Sequence, residues 1–325
     1  MRKLRIFAVV LSFLFKGICF AGSGNTSGVV LLEDIGAKGA GLVGACSSLT
    51  GDITLLRYNP ASIADMNSAQ LSALYYNSGT TGINYGSITY GMPVGIGVLG
   101  LNVSYLNGGE MELNFIDGST TNVLSEQDIA GSVSLGIPLG DKMCIGASVK
   151  ALSSTLVGSK SALAFAGDAG AVYKGFIFAG LNIGASVSNL GLGIKYLDTN
   201  ESLPLNVQGG ASYSILGLVE DLKITAAVDG VYSVNDKVLG LKAGVEGNYK
   251  EFSGRIGMPF NSTDDQSFTV GAGYMMDNQY SIDYGAVFGK ALGLSHRISV
   301  GMKLGDTGER NSKSVRQNGS RRVIR

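Results

Sequence analysis

Gln279-Tyr280-Ser281-Ile282-Asp283-Tyr284-Gly285-Ala286-Val287-Phe288-Gly289 decides the fold class of this chain. Tyr280, Ile282, Tyr284, Ala286 and Phe288 fall on one side of an extended strand, and Gln279, Ser281 and Asp283 on the other, because side chains alternate with period two. Residues 295 to 304 repeat the pattern, with His296, Ile298, Val300, Met302 and Leu304 opposing Arg297, Ser299 and Lys303. In 222 to 232, Leu222, Ile224, Ala226 and Val228 oppose Lys223, Thr225 and Asp229. A one-residue slip would exchange the apolar set for the charges, so the register is well specified.

Working outward, the same reading gives fourteen strands: 69–76, 83–93, 95–107, 126–137, 142–153, 162–173, 176–187, 203–214, 222–232, 238–249, 252–260, 266–276, 279–289 and 295–305. An even number of strands about ten residues long suits a tilted transmembrane β-barrel. Pro93, Pro138, Pro204 and Pro259 fall at strand ends, where a missing N–H costs least. Segments 108–125 and 188–202 are longer and polar, against short turns elsewhere, which is the asymmetry of an outer-membrane barrel. Tyr75, Tyr76, Tyr90, Tyr105, Tyr213, Tyr249 and Tyr280 are expected near strand ends as an interfacial girdle. A soluble β-sandwich also uses short alternating strands, but an export signal and isolated charges on one face favour the membrane barrel.

That signal is the basic start Arg2, Lys3, Arg5, the apolar run to Phe15 and small residues at Ala21 and Gly22, predicting a leader over 1–21. Lipidation at Cys19 is the competing reading, disfavoured by the bulky Ile18 before it. Of the three Cys, Cys46 and Cys144 follow the leader, and an oxidising compartment leaves them able to pair. The division is then a leader 1–21, an N-terminal segment 22–67, a barrel 68–305 and a basic tail 306–325. With the basic leader and tail set aside, the remaining chain is acidic, which argues against nucleic acid as a partner. Glycine is abundant, 49 of 325 residues.

The segment before the barrel reads Gly36-Ala37-Lys38-Gly39-Ala40-Gly41-Leu42-Val43-Gly44-Ala45, then Gly51-Asp52, then Tyr58-Asn59-Pro60-Ala61-Ser62-Ile63. This resembles the N-terminal signature of the FadL-type hydrophobe transporters and their PorV/PorQ-like relatives, over about thirty residues. The resemblance implies a fourteen-stranded barrel with an N-terminal hatch in its lumen, marked by Gly36, Gly39, Gly41, Gly44, Asp52, Asn59, Pro60 and Ala61. It implies transport of hydrophobic small molecules such as long-chain fatty acids across a bacterial outer membrane. A PorV-like relative that holds other envelope proteins without transporting is the alternative, and a polar porin a further rival. The basic tail departs from the terminal aromatic of many such barrels.

Catalysis finds no support. His296 is the sole histidine and falls on the apolar face, the Gly-rich stretch lacks a following Gly-Lys-Ser/Thr, and His and Cys do not cluster. No metal or cofactor is expected. Lys142, Lys150, Lys223 and Arg255 are candidate lumen cations for a substrate carboxylate; the alternative is that inward Asp168, Asp229 and Asp283 neutralise them.

Overall fold

The computed structural model describes residues 26–78, 82–157, 160–196, 199–216, 219–260, 266–290 and 293–305. The expected leader and basic tail lie outside these residues.

Eighteen strands follow a short N-terminal part. They are β1 (Ala69–Ser78), β2 (Ile83–Val94), β3 (Gly97–Asn107), β4 (Glu110–Asn114), β5 (Thr120–Leu124), β6 (Glu126–Leu139), β7 (Met143–Leu156), β8 (Lys160–Tyr173) and β9 (Leu181–Gly191). The second half comprises β10 (Ile194–Tyr196), β11 (Thr199–Glu201), β12 (Asn206–Leu216), β13 (Leu222–Ser233), β14 (Val238–Tyr249), β15 (Phe252–Phe260), β16 (Gln266–Met276), β17 (Tyr280–Gly289) and β18 (Leu294–Leu304). Fourteen of them close an antiparallel barrel, with β1 pairing β18 from Ala69↔Leu304 to Asn77↔His296. Closure removes the sheet edges that lipid could not satisfy. The remaining four make two small hairpins, β4–β5 and β10–β11, in the two long connections.

Register carries the alternation around the whole ring. Outward positions hold Ile88, Val149, Phe165, Ile282, Ile298 and Val300, all exposed, whereas the inward Thr89, Ser148, Asp168, Arg297 and Ser299 are buried. An apolar outside and a polar, filled inside define a membrane-spanning barrel, placed in the bacterial outer membrane. Connections at the end where β1 begins and β18 finishes are short. The long ones, with both hairpins, are at the opposite end.

Two expectations are corrected. Residues 176–180 form a turn rather than the start of a strand, and β9 begins at Leu181. This stretch is apolar or small at every position, so alternation carries no boundary, and Gly175 and Gly180 both take positive φ. Tyr76 leaves the girdle: it points inward, 4% exposed, stacked on Tyr85 with ring centroids 5.2 Å apart.

Residues 26–66 lie inside the ring. They form 3₁₀ turns at Val29–Leu32, Ile53–Arg57 and Pro60–Asp65, and one short helix, α1 (Ala37–Gly41). Inward glycines of the wall make the room. A methyl group at Gly285 would stand 3.0 Å from the Ala37 carbonyl oxygen, one at Gly244 3.0 Å from that of Leu42, and one at Gly271 3.2 Å from the Gly41 Cα. Methyl groups at Gly91, Gly136 and Gly146 would come closer still, 2.5 Å from the Ile53 side chain, 2.7 Å from that of Ile63 and into the Pro60–Ala61 peptide. These wall glycines therefore serve the close approach of the inner segment to the wall.

Candidate transport path

The quoted motif residues hold the inner segment together. Asp52 caps the turn Ile53–Arg57, its carboxylate accepting from the Thr54 N–H at 2.9 Å and the Thr54 hydroxyl at 2.7 Å, while Lys38 pairs with it at 3.2 Å. Burial opposes ionisation of Asp52, but the Lys38 charge and the Thr54 bonds outweigh it and hold the carboxyl down at about 2. Asn59 caps the next turn, accepting from the Ala61 N–H at 3.0 Å, with Pro60 at the first helical position, where its missing N–H is no loss. The Asn59 amide donates to the Ser47 carbonyl at 2.7 Å and to the Ala171 carbonyl of β8 at 3.1 Å. Gly36 and Gly39 leave no space for a side chain beside Thr54 and Tyr58. Gly41 faces Gly271, Ala61 is fully buried against Gly146, and Gly44 turns the chain at φ +76°.

Polar ties bind this segment to the wall. Ala37 N–H donates to Ser299 Oγ at 3.2 Å, and Gln208 Nε2 to the Gly44 carbonyl at 3.3 Å. The Ser47 N–H and hydroxyl donate to Asp229 at 2.8 and 2.9 Å. Lys174 pairs with Asp65 at 2.6 Å. Arg297 binds Asp34 and Glu33 and lies over the Tyr76 ring, 4.6 Å from its centroid, and the Tyr58 hydroxyl donates to Asp34. Burial, reinforced by Asp34, pushes the Tyr58 phenol well above its ordinary value.

The four candidate cations separate into two kinds. Lys150 and Arg255 face inward and are buried, but Lys150 is paired with Asp168 at 2.7 Å and hydrogen-bonded to Asn189 at 2.8 Å. Arg255 bridges Glu246 and Asp283, each at 2.6 Å. Lys142 precedes β7 in an exposed turn, so it does not share a strand face with Lys150. Lys223, near the start of β13, is exposed at the same rim. Cys46 and Cys144 are buried free thiols, and Cys144 donates to Asp65 at 3.6 Å. His296 points outward and shares a 2.6 Å hydrogen bond with Tyr284.

Two of the cavities among the described residues matter most here. One of about 350 Å³ opens toward the long-connection end, with Leu32, Tyr58, Tyr76, Val231, Val287 and Arg297 among its walls. The other, about 230 Å³, lies toward the short-turn end between Lys38, Asp52, Gln70, Asp283, Ser299 and Lys303. The helix α1 packs across β15, β16, β17 and β18. Sequence reasoning found the motif but neither cavity, because a cavity is defined by which inward residues meet across the lumen.

No protein-family model and no curated protein matches the chain. Among solved structures, the Ralstonia pickettii toluene transporter TbuX is similar, with a TM-score of 0.60 at 15% identity, covering 84% of this chain and 99% of that one. The CymD monoaromatic hydrocarbon channel gives 0.58 at 10% identity over 85% and 99%. The Pseudomonas putida toluene transporter TodX gives 0.57 at 13% identity over 87% and 97%. Identities this low show a shared fold. They do not select the PorV-like branch.

Proposed function

We propose that this chain is an outer-membrane transporter for hydrophobic small molecules and that residues 26–66 are its hatch. The observation that carries this reading is the pair of cavities flanking the inner segment, the first lined by its Asp34, Val43, Gly44 and Tyr58 and the second by its Lys38, Asp52 and Thr54. A molecule entering from the long-connection side reaches the first cavity, where Leu32, Val231 and Val287 offer apolar surface. Movement of the inner segment away from the wall, starting where Ala37 meets Ser299, then joins the two spaces. Barrels of this fold that carry toluene or monoaromatic hydrocarbons support the substrate class.

Long-chain fatty acids are the finer assignment. Their carboxylate would need a cation, and Lys150 and Arg255 are already neutralised by Asp168, Glu246 and Asp283. The geometry therefore favours uncharged substrates, and of the four candidate cations only Lys142 and Lys223, exposed at the short-turn rim, are left for a charged head. A second reading, the non-transporting scaffold for envelope proteins, draws on the filled lumen.

Uptake by cells expressing the chain tests the choice, using labelled toluene and a labelled long-chain fatty acid. The Asn59→Ala, Pro60→Ala double variant is compared at equal outer-membrane levels. Uptake of toluene that changes in the variant supports a hatch-gated transporter. No uptake of either compound by a folded barrel would replace it with the scaffold.

A further inference from the structure

Four residues that line the cavity of about 350 Å³ each carry a buried polar atom with no hydrogen-bond partner among the described residues: Gln266 Oε1, Ser295 Oγ, Arg297 Nε and Arg57 Nε. Three of them stand together on the wall. Register pairs Gln266, at the start of β16, with Gly289 of β17, and Ser295 of β18 with Val287 of β17, so these residues and Arg297 share the inward face at the long-connection end. Gly289 puts no side chain between Gln266 and Ser295. Arg297 is 8% exposed, and its terminal nitrogens are taken by Asp34 and Glu33, which leaves Nε–H as the spare donor. Leu32, Val231, Val238 and Val287 give the same space an apolar side. Its charged residues balance, Glu33, Asp34 and Asp236 against Arg57, Lys242 and Arg297. Buried polar groups are ordinarily hydrogen-bonded, so a set left over at a cavity wall points to a ligand that completes it.

We propose that this cavity selects uncharged molecules carrying a hydroxyl group on an apolar body, of the class of a methylphenol, and that Gln266 and Ser295 read the hydroxyl. The inference rests on the transporter reading and narrows its substrate. The leftover atoms match a hydroxyl in kind: it donates its proton to Gln266 Oε1 and accepts from the Ser295 hydroxyl or the Arg297 Nε–H. Gln266 and Ser295 are half-buried and reach the ligand by side-chain rotation, whereas Arg297 is held by its two acids. A carboxylate is the poorer match, because Gln266 Oε1 repels it and the charges around the cavity already cancel. A plain hydrocarbon fits the apolar side but displaces water from these polar atoms without replacing its hydrogen bonds. One buried polar atom left bare weakens binding about five- to 150-fold. The volume lies at the small end of ligand pockets, which span about 300–1,000 Å³, so the space admits one substituted ring or a short chain.

The test is equilibrium dialysis of the full chain in lipid nanodiscs against radiolabelled toluene, 4-methylphenol and 4-methylbenzoate, with partition into empty nanodiscs subtracted. At neutral pH the phenol is un-ionised, since phenols titrate at about 10. The expected result is saturable binding of 4-methylphenol about tenfold tighter than that of toluene, and tighter than that of 4-methylbenzoate. Gln266→Leu and Ser295→Ala each lower the ratio of 4-methylphenol to toluene affinity about fivefold or more. Ser295→Thr keeps the hydroxyl and holds the ratio near wild type. Heat-modifiable electrophoresis confirms that each variant keeps its barrel; if Gln266→Leu does not fold, Ser295→Ala carries the comparison. Toluene that binds as tightly as 4-methylphenol, or 4-methylbenzoate that binds more tightly, overturns hydroxyl selection while the transporter reading stands. A preference for 4-methylphenol that survives both substitutions overturns the assignment to Gln266 and Ser295. Saturable binding of none of the three compounds overturns the proposal together with the transporter reading beneath it.

Discussion

Replacing Asn59 by Ala should loosen the inner segment while the barrel wall stays closed. Asn59 is fully buried and ties several places at once, among them the Ala61 N–H at 3.0 Å, the Ser47 carbonyl at 2.7 Å and the Ala171 carbonyl at 3.1 Å. Leaving a buried polar group without its partner costs roughly 1–3 kcal/mol. Counting only Ala61 and Ser47, both within the inner segment, gives a loss of about 2–6 kcal/mol, centred near 4. At 1.4 kcal/mol per factor of ten, the opened population rises several hundred-fold at about 4 kcal/mol.

Cys46 reports that opening directly. Its side chain is fully buried, and burial, reinforced by the nearby Asp229 charge, pushes its thiol well above the ordinary value. Maleimide therefore reaches Cys46 only when the segment leaves the wall, and its labelling rate follows the opened fraction. Mass spectrometry separates its peptide from that of Cys144. Asn59→Ala should speed labelling at Cys46 by about two orders of magnitude or more, with heat-modifiable migration of the barrel unchanged. Gly170→Ala should act in the same direction, because a methyl there collides with the Asn59 amide. Labelling within threefold of wild type would refute the assignment of Asn59 as the central tie, and faster labelling accompanied by loss of the folded barrel would place its role in the wall instead.

Other perturbations follow from the same contacts. Lys150→Met leaves Asp168 buried without its cation and should cost about 3–5 kcal/mol in urea unfolding, whereas adding Asp168→Leu should recover most of it. If the single change instead abolished uptake at unchanged stability, Lys150 would be a substrate group. Acid should weaken the Lys38–Asp52 tie: the folded carboxyl titrates at about 2, below its unfolded value, so its contribution is complete above about pH 4 and disappears as pH falls toward 2. Its size is about 1–2 kcal/mol after discount for partial exposure, and Asp52→Asn should reduce the loss of urea stability between those pH values. Gly146→Val should force the Pro60–Ala61 peptide off β7 at about 1–3 kcal/mol and speed Cys46 labelling; an unchanged rate would mean that the wall yields instead.

The wall was legible because lipid imposes one demand on every strand. Outward positions must be apolar, so Tyr280 to Phe288 and His296 to Leu304 announce register as well as strand, and β14, β15 and β16 fall on the expected residues. Where both faces are small or apolar, as from Phe176 to Gly180, that signal disappears and the boundary moves by five residues. The hairpins β4–β5 and β10–β11 were hidden for a different reason. They are strands of five and three residues outside the bilayer, with no lipid face to mark them. Partners across the lumen are not encoded by alternation at all: Lys150 reads the same whether it meets Asp168 or a ligand.

The glycines link these two levels. Gly244, Gly271 and Gly285 sit on inward positions of β14, β16 and β17, where an alternation reading counts them as neutral, yet each is where the inner segment meets the wall. Contacts of this kind bury little side-chain surface, so they contribute close fit with little hydrophobic anchoring. Attachment then falls on separated polar ties, among them Arg297 with Asp34, Asp229 with Ser47, Asn59 with Ala171, Ser299 with Ala37 and Lys174 with Asp65. A segment held in this way can release one end while the other remains fixed. The α1 region, tied to the wall by two neutral bonds, from the Ala37 N–H to Ser299 and from the Thr269 hydroxyl to the Gly41 carbonyl, and otherwise resting on glycine, is where release costs least.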